Sequence, residues 1–352
     1  MLHIISNAKN KSKHFLLRNE NMGVYIKFIV VASIFITISC GYVNAQYDNE
    51  YKNFSEKFSS KIGIMIAAYN RPNYFKQVIQ SLEKNPESQT IPVFFFLDSG
   101  PKATIKQNKN IINNSLIKNK ITIERPYNYG IAKNLIDARR FMFDWCNFKK
   151  VLVLEDDCIL SPNYIKLVLN LHQWATKNYS NVGIVTCWHP CKLALNDKIK
   201  NLAKVTETIN HLWAYCLSKD TWDEMKEILY EYEQQFINKP FTASDRVKSI
   251  LEWRKQKLLK FIRREKKGRI FPETIDYTKL FMSNNFATGQ DGTTYFAHYM
   301  SGHISLSTIV NRALYIGKNG VHFNQAKWDN FGFGDMNLHN FTEDRHLSNF
   351  TT

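Results

Sequence analysis

Three consecutive carboxylates follow a short apolar run in the first half of the chain. Residues 151–154 are Val-Leu-Val-Leu, and Glu155, Asp156 and Asp157, the acidic triplet, come directly after them. Adjacent carboxylates repel one another, and a divalent cation that prefers oxygen ligands, such as Mg²⁺ or Mn²⁺, relieves that repulsion. The alternative is a solvated helix start, because Asp and Glu favour the first helical turn. The position at the end of a strand-like run favours the metal site.

Two further polar positions follow apolar runs in the same way. The run that begins at Lys61 ends in Asn70-Arg71, and the run at 91–97 is followed by Asp98. Strands that alternate with helices predict a largely parallel sheet with right-handed crossovers. In such a sheet, ligands bind beyond the carboxyl ends of the strands. Arg71, Asp98 and the acidic triplet are therefore predicted to line one site.

The remaining pattern predicts an α/β fold whose central sheet is flanked by helices. Amphipathic runs predict helices, and short apolar runs predict further strands. The predicted helices cover residues 74–84, 130–148, 220–236 and 244–264, and the predicted strands cover 61–70, 91–97, 121–123, 151–154, 182–186 and 213–217. The residues from about 323 onward are rich in Asn, Gly and aromatic types and are predicted to be coil.

The chain is strongly basic, with a formal net charge of +16 over 352 residues. Such a charge predicts an anionic partner: a phosphate-bearing small molecule, a phospholipid surface or nucleic acid. The sequence has neither zinc-finger spacing nor an aromatic-glycine RNA-binding signature, so we expect no nucleic-acid partner. The six cysteines form no paired CxxC set, which argues against structural zinc. The basic helix 244–264 is a solvated face, a membrane-surface contact or a receptor for an anionic acceptor.

Residues 1–45 have the character of a targeting segment. A basic stretch precedes an apolar run at 28–43, which is shorter than the ~20 residues of a bilayer span. Val43-Asn44-Ala45 offers a small-residue cleavage site. The segment is thus a cleaved signal peptide or an uncleaved membrane anchor, followed by a polar stem at 46–60. We expect a single-pass or lumenal, Golgi-like location in a eukaryote, and the cytoplasmic face of the inner membrane in a bacterium.

Four motifs of the body occur in an order and spacing that resemble a known family. They are Ile64-Met-Ile-Ala-Ala-Tyr-Asn-Arg-Pro72, Phe95-Phe-Leu-Asp-Ser-Gly100, Tyr127-Asn-Tyr-Gly-Ile131 and Val153-Leu-Glu-Asp-Asp157. The set resembles the GT-A-fold glycosyltransferases of family 2, and its Glu-Asp-Asp form resembles the Golgi N-acetylglucosaminyltransferases. The resemblance implies a GT-A catalytic domain at 61–322, with a nucleotide-sugar half at 61–186 and an acceptor half at 187–322, followed by a C-terminal tail at 323–352.

The resemblance also implies roles for residues at the strand ends. Asp157 becomes the direct ligand of a divalent metal, Mn²⁺ or Mg²⁺, and Asp156 lies near the ribose. Asp98 contacts the base or the ribose, while Arg125 and Lys133 either face the diphosphate or are surface cations. The implied donor-binding residues are Ala68, Tyr69, Arg71, Asp98, Arg125, Lys133, Glu155 and Asp156.

Three later segments complete the implied site. Gly289-Gln-Asp291-Gly resembles the loop that supplies the acidic catalytic residue, so Asp291 is the expected base for the acceptor hydroxyl; the alternative is an ordinary Asp-Gly turn. The segment from Ile316 to His322 resembles a late Gly-x-x-Gly-x-His motif whose histidine joins the metal or the diphosphate, although a lone histidine is more often structural. Trp213 and Tyr215 resemble an acceptor-side segment, with core packing as the alternative.

The expected activity is an inverting, metal-dependent transfer of a hexosyl or N-acetylhexosaminyl group. The donor is a nucleotide sugar, and the acceptor is a hydroxyl of a glycan, glycoprotein or glycolipid. One alternative is a metal-dependent nucleotidyltransferase, but such enzymes usually carry a Gly-rich phosphate loop near the first strand, where this chain has Ala-Ala-Tyr-Asn-Arg-Pro. The other is a non-catalytic, lectin-like protein of the same fold, against which the acids at Asp157 and Asp291 argue.

Overall fold

The structure is a computed structural model that describes residues 61–190, 194–209, 212–239, 242–263, 265–284, 286–320 and 324–352. The predicted targeting segment 1–45, the stem 46–60 and His322 lie outside these residues. Among the described residues, no helix has both the length and the apolar character that a membrane span requires.

Strands and helices alternate along the first half of the body, as the sequence predicts. The strands are β1 Ile62–Ala68, β2 Val93–Leu97, β3 Lys120–Glu124, β4 Lys150–Glu155, β5 Cys158–Leu160, β6 Val182–Thr186, β7 Val205–Glu207, β8 Tyr215–Ser218, β9 Ile304–Thr308 and β10 Ala313–Tyr315. The helices are α1 Pro72–Glu83, α2 Lys102–Asn113, α3 Gly130–Arg140, α4 Tyr164–Asn178, α5 Leu195–Lys200, α6 Lys219–Tyr232, α7 Ala243–Leu259, α8 Tyr277–Met282, α9 Gln290–Met300 and α10 Gln325–Phe331.

Eight of these strands form one sheet in the order β3-β2-β1-β4-β8-β6-β9-β7. Strands β3, β2, β1 and β4 are parallel neighbours, and β6 is parallel to β9. Strand β8 is antiparallel to both β4 and β6, and β7 is antiparallel to β9. Four of the seven pairings are therefore parallel, and the carboxyl ends of β1 to β4 lie at one edge of the sheet.

The core lies on both faces of the parallel half. Every residue of β2 is buried, and so is β1 from Gly63 onward. Strands covered on both faces read as continuous apolar runs, which is why the sequence identified them. The side chains of Phe94, Phe95 and Phe96 alternate between the two faces, and Phe94 and Phe96 pack against Phe141 at the end of α3.

A small second sheet lies next to the acidic triplet. Strand β5 starts one residue after Asp157 and pairs antiparallel with β10, so that Tyr315 lies opposite Cys158. Neither strand was predicted, because each is only three residues long. The pairing brings the chain around residue 316 back to the end of β4.

Three other elements differ from the sequence expectation. Residues around Asp291 form the first turn of helix α9 instead of a loop. The basic helix ends at Leu259, earlier than predicted. It buries Trp253 and Arg254, whereas Leu259 is exposed. A membrane contact of this helix stays a prediction. The predicted C-terminal coil contains α10, and Phe333, Met336 and Phe350 are buried, because tertiary packing outweighs its local preferences.

Candidate active site

The last two acids of the triplet are buried and share one cation. Asp156 and Asp157 are 3% and 4% exposed at the carboxyl end of β4. The guanidinium of Arg71 donates to Asp156, and its Nη1 lies 2.6 Å from Oδ2 of Asp157. Asp156 also accepts the backbone N–H of Tyr69 at 3.2 Å. Tyr69 and Arg71 thus reach the triplet from the end of β1, and Arg71 lies there as its position after the first strand predicts.

Burial dominates the electrostatics of Asp157. It raises the pKa of this carboxyl to about 7, although the charge of Arg71 opposes the rise. The charges of Asp156 and Asp157 in turn raise the pKa of Arg71 above its ordinary value against the effect of its own burial. The Asp157 carboxyl can give up its proton near neutral pH. It is then suited to be a metal ligand, because a bound cation balances the negative charge that burial disfavours.

The second oxygen of Asp157 has the chemistry of a metal ligand. Its Oδ1 is buried and has no hydrogen-bond partner among the described residues. The same residues contain no group of three or more His, Cys, Asp or Glu side chains that could hold a metal by themselves. Magnesium and similar ions are commonly held by one or two carboxylates, with phosphate oxygens and waters completing the shell. The residues therefore fit a metal held by Asp157 together with a phosphate ligand.

The late Gly-x-x-Gly segment lies against these acids. The N–H of Ile316 donates to the carbonyl oxygen of Asp157 at 2.8 Å. A Cβ on Gly317 would lie 2.5 Å from Oδ2 of Asp157 and 2.5 Å from the Tyr315 hydroxyl, so any larger residue would displace the loop or these side chains. A Cβ on Gly320 would lie 3.3 Å from Nη1 of Arg71. Residues 316–320 thus lie beside Asp157 and Arg71, while the metal or diphosphate role of His322 stays a prediction outside the described residues.

Tyr315 is a site residue that the sequence did not reveal. Its hydroxyl donates to the carbonyl of Gly317 at 2.9 Å, and burial together with the charge of Asp157 raises its pKa. Its ring stacks on Trp213 with a centroid distance of 4.0 Å and an interplanar angle of 4°. Only the long-range pairing of β5 with β10 brings it to the acids, and a single sequence carries no signal of that pairing.

Asp291 belongs to the same cluster of charges. It lies in the first turn of α9, and its Oδ1 accepts a hydrogen bond of 2.6 Å from the side-chain amide of Gln290. Burial raises the pKa of Glu155 well above its ordinary value, and Asp291 is the neighbouring charge that raises it most. The structure therefore brings Asp291 to the triplet, and its role as base stays a prediction.

Asp98 is committed to the backbone of the neighbouring loop. One oxygen accepts the N–H of Ser99 at 2.9 Å and of Tyr129 at 2.7 Å, and the other accepts the N–H of Gly130 at 2.9 Å. Its own N–H donates to the carbonyl of Ala68. Asp98 thereby fixes the start of α3 to the ends of β1 and β2, and its predicted contact with the base or ribose remains a prediction.

The two cations assigned to the diphosphate lie in different surroundings. Arg125 is buried: its Nη1 lies 2.6 Å from Oδ2 of Asp137, and its Nε donates to Oδ1 of Asn134 at 2.8 Å. The alternative of a surface cation is therefore wrong for Arg125. Lys133 donates to the Tyr127 hydroxyl at 3.2 Å on the exposed side. The diphosphate contact of either residue is untested.

The two aromatic residues assigned to the acceptor are packed in the core. Trp213 and Tyr215 are 6% and 3% exposed. Trp213 packs edge-on against Trp188 and stacks on Tyr315. The hydroxyl of Tyr215 accepts a hydrogen bond of 3.2 Å from Arg139. The packing alternative describes both side chains, and an acceptor contact by either stays a prediction.

Arg139 is the second residue that the sequence analysis missed. It is fully buried in α3 and donates to side chains of β8 and α9. A signal was present, because Arg139 lies four residues after Leu135 and three before Met142, on the apolar stripe of the predicted helix. A cation on a buried helix face needs partners, and here they lie beside Asp291.

The chain matches one family model and is similar to several solved structures. The model of the family described as glycosyl transferase family 2 matches residues 63–189. The chain is similar to the solved mannosyltransferase PcManGT from Pyrobaculum calidifontis in complex with GDP-Man and Mn²⁺, at 13% identity over 51% of this chain and 53% of that chain, with a TM-score of 0.35. It is similar to S. aureus TarS, at 12% identity over 54% of each chain and a TM-score of 0.34.

An active-site variant of LgtC is also similar, at 12% identity over 81% of this chain and 100% of that chain, with a TM-score of 0.34. The alignments with PcManGT and with TarS residues 1–349 span about half the length of those solved chains. No curated protein matches the chain. The family match includes all four motifs and confirms the resemblance to family 2 and the predicted fold class, while the resemblance to the Golgi N-acetylglucosaminyltransferases stays a prediction.

Proposed function

We propose, on the premise that residues 63–189 form a glycosyl transferase family 2 domain, that this protein is a metal-dependent glycosyltransferase. It transfers a hexosyl or N-acetylhexosaminyl group from a nucleotide sugar to a hydroxyl of a glycan, glycoprotein or glycolipid. The observation that carries the proposal is the cluster at the end of β4. There the buried pair Asp156 and Asp157, the cation Arg71 and the acid Asp291 meet at the edge where parallel sheets bind ligands.

The donor is held by charge at this edge. Arg71 keeps about a quarter of its side chain exposed, so its guanidinium can pair with a phosphate oxygen while it still touches Asp156. Asp157 offers its unpartnered Oδ1 to a divalent metal. When bound, such a metal neutralises the charge that develops on the leaving nucleoside diphosphate.

The acceptor is activated by Asp291 in a single displacement. Asp291 takes the proton of the acceptor hydroxyl while the hydroxyl oxygen bonds to the anomeric carbon. The bond from that carbon to the diphosphate oxygen breaks, and its electron pair leaves with the nucleoside diphosphate. Attack from the face opposite the leaving group inverts the anomeric configuration.

A donor screen tests the proposal. Purified protein with Mn²⁺ is incubated with UDP- and GDP-sugars, and release of the nucleoside diphosphate is measured. We expect release from at least one donor, and Asp157→Asn should lower it by about 100-fold or more, because the metal supplies several kcal/mol of charge stabilisation. Asp223→Asn is the matched control, since Asp223 is an exposed acid of α6 that pairs with Lys219 and Lys226.

The products of the screen also separate the alternatives. A parallel incubation with nucleoside triphosphates and sugar phosphates tests the first alternative, and release of pyrophosphate there would identify a nucleotidyltransferase. Sugar binding without turnover of any donor would identify a lectin-like protein. If the protein neither binds any sugar nucleotide nor releases a nucleoside diphosphate from one, the proposed function is contradicted.

A further inference from the structure

A buried arginine lies behind the proposed catalytic base. Arg139 of α3 is fully buried, and its guanidinium donates to side chains of two other elements. Its Nη1 lies 3.2 Å from the Tyr215 hydroxyl and 3.2 Å from Oγ1 of Thr294. Its Nη2 donates to Oε1 of Gln290 at 3.1 Å. A guanidinium only donates, so each of these partners must present an oxygen to it.

The arginine thereby fixes the orientation of the Gln290 amide. Oε1 of Gln290 also accepts the hydroxyl of Thr294 at 2.8 Å, so two donors face the same oxygen. The amide nitrogen must then point the other way, and it donates to Oδ1 of Asp291 at 2.6 Å. Gln290 is 7% exposed, so water does not readily replace these contacts. Reversing the amide would set its NH₂ group against the guanidinium.

The carboxylate of Asp291 needs the hydrogen bond from Gln290 because acidic groups lie near it. Asp291 faces Glu155 at the end of β4, and the phenols of Tyr215 in β8 and Tyr295 in α9 lie close enough for its charge to raise their pKa values. Arg139 is the buried cation on this side, and it acts on Asp291 through the amide. A general base must hold its carboxylate within hydrogen-bond reach of the acceptor, and a donated hydrogen bond favours its ionised form.

The backbone of the same helix start is held separately. Nη2 of Arg254 in α7 donates to the carbonyl of Ala287 at 2.8 Å, and that carbonyl packs on Gly292. The backbone around Asp291 is thus held from α7, whereas its side chain is held from α3. The two restraints can be changed independently.

We propose that Arg139 and Gln290 are positioning residues that orient the carboxylate of Asp291 for proton transfer. The inference rests on the proposed function, since it assigns a purpose to contacts of the same site. Arg139 fixes the orientation of the Gln290 amide, and that amide fixes the orientation of the Asp291 carboxylate. Both side chains are buried, so they act on the reaction through Asp291.

Gln290→Leu and Gln290→Glu test the inference. Leucine removes the donor, and we expect kcat for sugar transfer to fall on the order of 10- to 100-fold while Kd for the nucleotide stays unchanged, because misplacement of a catalytic group acts on the chemical step. Glutamate keeps the shape but places a second carboxylate beside Asp291. The acidic limb of the kcat–pH profile should then move to higher pH by about one unit, because like charges disfavour ionisation.

Gln256 provides a matched control. It is an exposed glutamine of α7 whose amide donates to Oε1 of Glu252 at 3.2 Å. Gln256→Leu and Gln256→Glu should leave kcat and the pH profile unchanged. Thermal melting of every variant separates a positioning effect from loss of the fold, and if Gln290→Leu does not fold, the pH limb of Gln290→Glu decides.

The outcomes distinguish this inference from the proposed function. Wild-type transfer by Asp291→Asn would remove Asp291 as the base and with it the proposed mechanism. Loss of transfer in Asp291→Asn, together with wild-type kcat and an unmoved pH profile in both Gln290 variants, would overturn the positioning role alone.

Discussion

Arg71 is the residue on which two buried carboxylates depend. Its guanidinium contacts Asp156 and Asp157 together, which offsets part of the cost of burying them. The compensation is incomplete, since burial still raises the pKa of Asp157 to about 7. A metal cation at Oδ1 of Asp157 would complete the compensation of its charge. Protons and metal ions should therefore compete for the Asp157 carboxylate.

At this scale, the first prediction concerns pH. Unfolded aspartate titrates at about 3.9, whereas folded Asp157 titrates at about 7. Between these values the folded state keeps a proton that the unfolded chain has lost, so this contribution to stability is present at low pH and is lost as pH rises through 7. Metal binding requires that proton to leave. Mn²⁺ should therefore raise Tm more at about pH 8 than at about pH 5.5.

Scanning fluorimetry with and without Mn²⁺ at both pH values measures the difference. Asp157→Asn is the informative comparison, because it should abolish the pH-dependent part of the metal shift. Equal metal shifts at the two pH values in the wild-type protein would contradict the prediction.

A second prediction at the residue scale concerns Gly317. An alanine there would place a methyl group 2.5 Å from Oδ2 of Asp157 and from the hydroxyl of Tyr315, so the loop or these two side chains must move apart. We expect the Kd for Mn²⁺-nucleotide to rise about 10-fold or more, because the covering contacts are lost. Titration calorimetry measures this Kd. Asn319→Ala, on the exposed side of the same loop, should bind as wild type, and an unchanged Kd in Gly317→Ala would show that the loop does not shape the site.

At the scale of elements, helix α9 carries the proposed base and is packed tightly at its start. A Cβ on Gly292 would lie 1.9 Å from the carbonyl oxygen of Ala287. Gly292→Ala should therefore lower the free energy of unfolding by about 1–3 kcal/mol and reduce transfer, because the first turn must shift with Asp291. Urea denaturation provides the measurement. Gly289→Ala is the control, since a Cβ there meets nothing within 4 Å; equal stability of the two variants would refute the prediction.

The same elements show what the sequence can and cannot predict. Strands β1 to β4 and the acids at their ends follow from apolar runs and turn residues, because buried parallel strands leave a local pattern. Helix α9 and the pair β5–β10 were not predicted, since their short or mixed sequences are fixed by distant contacts. The position of Tyr315 and the contacts of Arg139 and Gln290 depend on those elements. The local sequence pattern therefore does not predict this part of the site.

At the scale of the whole molecule, the C-terminal segment is part of the folded body. Phe333 packs against Trp213 and Tyr315, and Phe350 packs against Trp174. Arg312 and Asp344 form a buried ion pair with a 2.7 Å contact. The segment therefore packs behind Trp213 and Tyr315 and so supports strand β10, which lies beside the acidic triplet.

The buried pair yields a prediction for overall stability. Asp344→Asn leaves the guanidinium of Arg312 buried without its countercharge, and we expect the free energy of unfolding to fall by about 3–5 kcal/mol. Urea denaturation measures the loss. Glu343→Gln changes the exposed neighbouring acid and should have little effect. A similar small effect of both substitutions would mean that the C-terminal segment contributes little to stability.

The pairing of β5 with β10 joins residues about 150 positions apart in the chain. Contacts of such separation form late in folding, because a long loop must close before they bring any gain. During synthesis, the acidic triplet therefore emerges well before the strand and loop that cover it. A chain that ends before residue 317 would lack the loop that lies against Asp157 and the segment that packs behind Trp213 and Tyr315, so we expect it to have no completed site.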